Sequence, residues 1–279
     1  MLDFPNAKIN LGLFITQKRE DGFHNLQSVF MPVQWTDVLE ILPSQTGKTE
    51  MIITGIPIET SNNNEDNLCL KAYHLLQKAY NLPAVHIHLH KNIPIGAGLG
   101  GGSADASFTV KMLNKMFDLG LSDEIMEDYV RTLGSDCAFF IKNKPMFCFE
   151  KGDKFKNIEL NMREYLILLV YPNLHIPTKE AYANIVPYQI DFDISNLVER
   201  KDFFEWKNLL NNDFENSFFP KYPVLGELKD SFYEMGAVYA AMSGSGSTIF
   251  GIFEKNKLAF LQEHCVGYPK NYKTWLGEF

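Results

Sequence analysis

Cysteine is scarce. Only Cys69, Cys137, Cys148 and Cys265 occur in 279 residues, and no two stand in C-x-x-C spacing. That excludes a disulfide scaffold and a paired-cysteine zinc site, and it points to reduced thiols. Long hydrophobic runs are absent too. The longest, Tyr165 to Tyr171, falls far short of the roughly 20 residues that span a bilayer. The opening Met1-Leu2-Asp3-Phe4-Pro5-Asn6 lacks the basic and apolar regions of a signal peptide. A cytoplasmic protein with no membrane partner is expected. Basic residues are the minority, 26 against 34 acidic, for a net charge of -8. This argues against a nucleic-acid partner, which usually meets a basic face. Small anionic ligands stay open, because N–H groups at a helix start can hold a phosphate without net positive charge. Usage of 19 Gly and 13 Pro is ordinary and excludes collagen-like repeats.

What is present is a globular composition, 46% hydrophobic and 13% aromatic, enough for a core without staples. At roughly 150 residues per domain the length suggests about two domains. The chain turns polar at Glu150-Lys151-Gly152-Asp153-Lys154. The boundary is therefore placed after residue 155, giving domains 1–155 and 156–279. Ile9, Leu11, Leu13 and Ile15 alternate as a strand, followed by an Asp21-Gly22 turn. Strands are also expected at 29–33, 37–42, 51–54, 164–171, 237–242 and 248–253. Val85, Ile87 and Leu89 alternate with His86, His88 and His90 as a half-buried strand. Helices are expected at 68–80, after Ser103 as N-cap, after Ser122, and at 179–185, 194–211 and 223–235. Neither half alternates strand and helix cleanly, so the fold class is α+β rather than a doubly wound sheet.

The strongest local signal is Pro94-Ile95-Gly96-Ala97-Gly98-Leu99-Gly100-Gly101-Gly102-Ser103-Ala104. Five glycines in seven residues, between a strand and a helix, let backbone N–H groups converge on a phosphate. It is not a Walker A loop: before Gly47-Lys48-Thr49, Leu42 stands where the first glycine belongs. Gly96, Gly98 and Gly101 match G-x-G-x-x-G, but helices follow where a dinucleotide fold needs a strand ending in an acid. No serine of either glycine-rich loop lies in G-x-S-x-G, so a nucleophile elbow is not supported. Ser243-Gly244-Ser245-Gly246-Ser247 is either a second place of close backbone approach or a plain turn. Lys8 opens an apolar strand. Asp136, between Gly134 and the apolar Ala138-Phe139-Phe140, is either a helix cap or a functional acid. His86, His88 and His90 share a strand face but lack a fourth ligand, so a polar face explains them better than a metal.

Three stretches together resemble one family. Pro5-Asn6-Ala7-Lys8-Ile9-Asn10-Leu11, Pro94 to Ala104, and Met242 to Ser247 look like the three motifs of the galactokinase, homoserine kinase, mevalonate kinase and phosphomevalonate kinase superfamily. Asp21-Gly22-Phe23-His24-Asn25-Leu26-Gln27, Glu65-Asp66-Asn67-Leu68, Leu133-Gly134-Ser135-Asp136 and Ile176-Pro177-Thr178 are similar to the branch of the non-mevalonate isoprenoid pathway. Its acceptor is the tertiary 2-hydroxyl of a methylerythritol chain carrying a CDP group.

The resemblance implies an N-terminal domain like the second domain of ribosomal protein S5, a ferredoxin-like C-terminal domain, and an active site in the cleft between them. It implies ATP as donor, with Pro94 to Ala104 holding the phosphates, Lys91 adding positive charge and Asn67 near the adenine. Mg²⁺ would bridge phosphate oxygens, with Ser103 as a ligand. Asp136 would be the general base and Lys8 would stabilise the developing alkoxide. Phe23 and Tyr182 would stack the cytosine and His24 would hydrogen-bond it. Asn10, Thr178, Ser243 and Gly244 would complete the acceptor site. Phe23 stands where the family often has Tyr, and Cys137-Ala138 replace the usual Val-Pro after the aspartate. A monomer or homodimer acting on a small molecule is expected. The rival readings are another alcohol acceptor, a nicotinamide dehydrogenase and a non-catalytic nucleotide sensor.

Overall fold

The computed structural model describes residues 1–57, 66–183 and 185–279, with backbone alone for Thr178, Lys179 and Ala183. The chain folds into two compact units, each built from separate segments. The first comprises Met1–Ala7, Trp35–Ile95 and Gly100–Lys144; the second comprises Lys8–Gln34, Gly96–Leu99 and Pro145–Phe279.

The first unit carries a four-stranded sheet ordered β1 (Leu2–Asp3), β4 (Val38–Pro43), β6 (Val85–Lys91), β5 (Glu50–Gly55). Strand β6 runs antiparallel to β4 and parallel to β5. Its alternation decides its orientation: Val85, Ile87, Leu89 and Lys91 are buried while the three histidines face outward. Helix α1 (Leu68–Tyr80) packs on α2 (Gly101–Met116), and α2 reaches β4. Helix α3 (Asp123–Arg131) starts at Ser122, whose side chain caps it, with Asp123 and Glu124 in its first turn as the helix dipole favours. A single turn, α4 (Phe139–Lys142), follows.

The second unit holds two sheets, apart from residues 6–7 of β2 and 35–36 of β3, which count with the first. One is ordered β2 (Asn6–Lys18), β3 (His24–Thr36), β7 (Met146–Phe149), β8 (Lys154–Asn157). The other is ordered β10 (Tyr239–Met242), β11 (Ile249–Glu254), β9 (Tyr165–Tyr171), β12 (Lys273–Glu278), antiparallel throughout. Strand β9 reads as an unbroken apolar run because it lies between two strands and is buried along its length. Helices α5 (Thr178–Ala183), α6 (Ile194–Arg200), α7 (Phe203–Leu209), α8 (Asp213–Phe218), α9 (Pro223–Glu234) and α10 (Leu258–Cys265) complete the unit. Trp206 of α7 is fully buried, and its indole N–H donates to Leu197 O at 3.0 Å, so a large apolar surface leaves water without orphaning a polar atom.

The α+β class stands, but the organisation differs from a single cut. Position 155/156 falls inside β8. The polar stretch at 150–154 is the turn of the β7–β8 hairpin, with Glu150 and Gly152 at positive φ. Its polarity is that of a turn rather than a linker. The helix expected at 194–211 breaks where Lys201 turns left-handed and Asp202 caps a new helix. Among the described residues no helix is long and apolar enough to cross a membrane.

Candidate active site

The glycine-rich stretch divides between the units: residues 96–99 go with the second, and Gly100 onward with the first. Gly100 is left-handed (φ 70°) and opens α2 with no side-chain cap. The first helical bond is Ala104 N–H to Gly100 O at 2.9 Å. The N–H groups of Gly101, Gly102 and Ser103 precede it and have no intrahelical acceptor. With the positive end of the helix dipole they form a site suited to phosphate oxygens. Ser103 is thus not the N-cap but part of the first turn, because the left-handed glycine starts the helix earlier.

Residues 96–99 are held by the second small-residue loop. The Ser243 hydroxyl donates to Gly98 O at 2.9 Å, and Thr248 N–H reaches Ala97 O at 3.3 Å. Gly98 (φ +78°) lies so near that a Cβ there would stand 1.9 Å from Ser243 O. A Cβ on Gly244 would meet Gly98 O at 3.0 Å. Asn212 caps α8 through its oxygen, and its amide donates to Met242 O at 2.7 Å and Gly244 O at 2.8 Å. The loop around Ser243 is therefore a place of close backbone approach. Ser243 and Gly244, expected at the acceptor, are placed against the glycine loop.

In the same unit Lys8 is buried on β2 and its N–H donates to Leu99 O at 2.9 Å. Its ammonium donates to Asn10 Oδ1 at 2.7 Å and lies 4.5 Å from the Phe30 ring centre. Asn10 Nδ2 donates to Ser28 Oγ at 3.0 Å, and Ser28 Oγ to Gly12 O at 2.5 Å. This buried ladder fixes the amide of Asn10 and through it the ammonium.

Aromatic residues gather further along β3. His24 stacks on Tyr182, centroids 5.0 Å apart and planes at 27°, and Tyr182 meets Phe214 edge-on at 4.9 Å. Burial, then the nearby Lys18 charge, lowers the His24 pKa, which favours a neutral ring able to donate and accept. Phe23 is 58% exposed, with the Lys151 ammonium 5.2 Å from its ring centre. The side chain of Thr178 lies outside the described residues.

In the first unit, half-buried Asp136 sits in the turn before α4. The N-cap of α4 is Ala138 and no side chain caps it, so Asp136 is not its cap. The start of α2 holds this turn. The Ser107 hydroxyl donates to Ser103 O at 2.9 Å and to Cys137 O at 2.6 Å. The Ser103 hydroxyl hydrogen-bonds the Cys137 thiol, whose pKa burial pushes up to about 12. Cys137 therefore packs as a neutral side chain. Asn67, expected near the adenine, caps α1 by accepting from Cys69 N–H at 2.8 Å.

Lys91, expected to add positive charge at the phosphates, is engaged inside the first unit. It is 3% exposed, pairs with Asp37, and lies 2.7 Å from Asp105 Oδ2. Two buried carboxylates hold its ammonium, which lies 3.4 Å from a Cβ built on Gly101. Asp37 Oδ1 also accepts from Asn92 N–H at 2.6 Å and Ile93 N–H at 2.9 Å. Burial pushes the Asp105 carboxyl up to about 7, against the Lys91 charge and with the help of Asp37. A folded pKa above the unfolded value means this group's contribution is complete below about pH 3.9 and is lost as pH rises through about 7. Thermal melts of Asp105→Asn against wild type between these limits are expected to lose that slope. Sequence reading missed Asp37 and Asp105. The available signal was a carboxylate four residues into an otherwise small-residue helix start.

The outward histidines have separate partners. His86 is 3.1 Å from Ser44 Oγ, His90 is 2.9 Å from Thr54 Oγ1, and His88 is 4.0 Å from Glu40. Among the described residues no three His, Cys, Asp or Glu side chains are grouped to hold a metal.

The family model described as the GHMP kinases N terminal domain matches residues 67–144, and the GHMP kinases C terminal model matches 194–266. The chain is 51% identical over 254 residues to a 4-diphosphocytidyl-2-C-methyl-D-erythritol kinase of Bacteroides thetaiotaomicron, covering 91% of this chain and 92% of that one. It is 50% identical over 261 residues to the Cytophaga hutchinsonii protein of the same name, covering 93% and 95%. A crystal structure of 4-(cytidine 5'-diphospho)-2C-methyl-D-erythritol kinase superposes with a TM-score of 0.81 at 27% identity, covering 99% of this chain and 98% of that one. A homoserine kinase from Cytophaga hutchinsonii, at TM-score 0.71 and 14% identity over 99% and 94%, shares the fold.

Proposed function

Because this chain belongs to the 4-diphosphocytidyl-2-C-methyl-D-erythritol kinase family of the GHMP kinases, we propose a specific division of labour for its reaction. The enzyme transfers the γ-phosphoryl group of ATP to the 2-hydroxyl of 4-diphosphocytidyl-2-C-methyl-D-erythritol, in non-mevalonate isoprenoid precursor synthesis. One observation carries the assignment of residues: the uncapped start of α2 also holds the turn that bears Asp136. Phosphate donors and a carboxylate are thereby fixed by one helix.

The N–H groups of Gly101, Gly102 and Ser103 bind phosphate oxygens of ATP. Pro94, Ile95, Gly96, Ala97, Gly98, Leu99, Gly100 and Ala104 shape the backbone on either side. Asp136 takes the hydroxyl proton as the oxygen attacks phosphorus. The bond from phosphorus to the bridging oxygen breaks and ADP leaves. Lys8 stabilises the charge that develops on the attacking oxygen. An alcohol is a weak nucleophile, so placement and charge stabilisation provide most of the acceleration. Cytosine stacks between Phe23 and Tyr182, and the neutral His24 ring hydrogen-bonds its edge. Asn10 and Thr178 line the acceptor.

Mg²⁺ would neutralise charge on the phosphate oxygens of ATP. The Ser103 hydroxyl, in the first turn of α2, would be the chain's own ligand to the ion. A single protein ligand suits an ion that keeps phosphate and water as most of its ligands. The protein works in the cytoplasm as a monomer or homodimer.

An ADP-release assay tests the reaction, with the cytidine compound offered beside mevalonate, galactose and homoserine. Turnover with the cytidine compound alone is expected; turnover with another alcohol would overturn the base pocket. In the same assay His24→Ala should raise KM for the cytidine substrate at least about tenfold, consistent with loss of a hydrogen bond to a buried base, and leave KM for ATP nearly unchanged. Equal changes in both would remove His24 from base recognition.

A further inference from the structure

Lys91, Asp37 and Asp105 form a charged cluster buried in the first unit, behind the start of α2. Three parts of the chain converge there. Asp37 lies between β3 and β4, Lys91 ends β6, and Asp105 sits on the opening turns of α2. The ammonium donates to both carboxylates, at 2.7 Å to Asp105. The second oxygen of Asp37 takes the N–H groups of Asn92 and Ile93, where the chain leaves β6 for the glycine-rich stretch. The first helical residue rests on this cluster. A Cβ at Gly101 would stand 3.0 Å from Ile93 Cγ2 and 3.4 Å from the Lys91 ammonium.

The cluster is an uneconomical way to fill a core. Asp105 Oδ1 is buried without a hydrogen-bond partner, and apolar replacement of buried ion clusters is often neutral or stabilising. What a charged bridge provides beyond packing is fixed direction, through short bonds among side chains from three separate parts of the chain and to the backbone that follows β6. The chain at the end of β6 borders the first turn of α2 at Gly101.

We propose that Lys91 is a positioning residue for the nucleotide: bridged to Asp37 and Asp105, it clamps the first turn of α2 to the end of β6 and so sets where the N–H groups of Gly101, Gly102 and Ser103 point. It acts through the helix and does not touch ATP. This inference rests on the reading that those N–H groups bind the phosphates.

Two variants test it from opposite sides. Asp105→Asn keeps the Lys91–Asp37 pair, and Asp37→Asn keeps the Lys91–Asp105 pair. Each is expected to raise KM for ATP about tenfold or more, in line with the steep cost of small displacements at a binding site. KM for the cytidine substrate should stay within about twofold. A direct ATP titration of each variant should show the same loss. Equal rises in both KM values, unchanged ATP affinity in folded variants, or unfolding of both variants would assign the cluster to stability alone and overturn the proposal. The wild-type titration separates the two levels of inference. If wild type fails to bind ATP, the phosphate reading falls as well. If wild type and the variants bind it equally well, only the positioning role falls.

Discussion

Replacing Asp136 with asparagine is expected to lower kcat by about 10²–10⁴-fold, the usual contribution of a general base. The substitution keeps the shape of the side chain and removes its capacity to take a proton. Asp136 does not cap α4, and its turn is held through the backbone oxygen and thiol of Cys137. The variant is compared with wild type as folded protein, by circular dichroism, and should show unchanged ATP affinity by titration. Turnover within a few-fold of wild type would remove Asp136 from the role of base. A fall in ATP affinity parallel to the fall in rate would assign it to binding instead.

Gly98→Ala is expected to cause the largest loss from a single added methyl group. Two penalties combine. At φ +78° a residue with a Cβ is strained, by about 1–2 kcal/mol. The new Cβ would also lie 1.9 Å from Ser243 O, and that atom cannot move alone. Ser243 is tied to Thr248 O through its N–H and to Gly98 O through its hydroxyl. The glycine loop and its brace must separate, so both stability and phosphate transfer should fall, the latter by about 10²-fold. Gly102→Ala is the contrast. Its Cβ would meet only Leu68 Cδ1, at 3.8 Å, inside a helix. There alanine should add about 0.5–1 kcal/mol of stability. Chemical denaturation of the two variants should shift in opposite directions, and a shift of Gly98→Ala no larger than a surface substitution would overturn the brace.

Much of this was legible in the sequence where a pattern is local. The alternation of Val85, Ile87 and Leu89 with three histidines fixed both the existence and the facing of β6. The glycines announced a helix start open to anions, although the cap lay at Gly100 rather than Ser103. What escaped was set by distant partners. Lys91 looked like a spare cation because Asp37 lies 54 residues away in sequence. The β7–β8 hairpin looked like a linker because its turn is polar and its strands are short. The stack of His24 on Tyr182 joins residues from opposite halves of the chain. Lys8 and Asp136 were singled out by motif resemblance, since a lone lysine and a lone aspartate carry no spacing of their own.

The alternating ownership of segments has a consequence for how such a gene can change. The chain passes between units at 7/8, 34/35, 95/96, 99/100 and 144/145. A split of the reading frame at any codon leaves at least one product holding pieces of both units. Neither unit can therefore be lent to another protein as a single exon-like cassette, and a transplanted first unit would arrive with residues 8–34 and 96–99 as foreign insertions. Substitutions and changes of loop length within an intact chain leave both units whole.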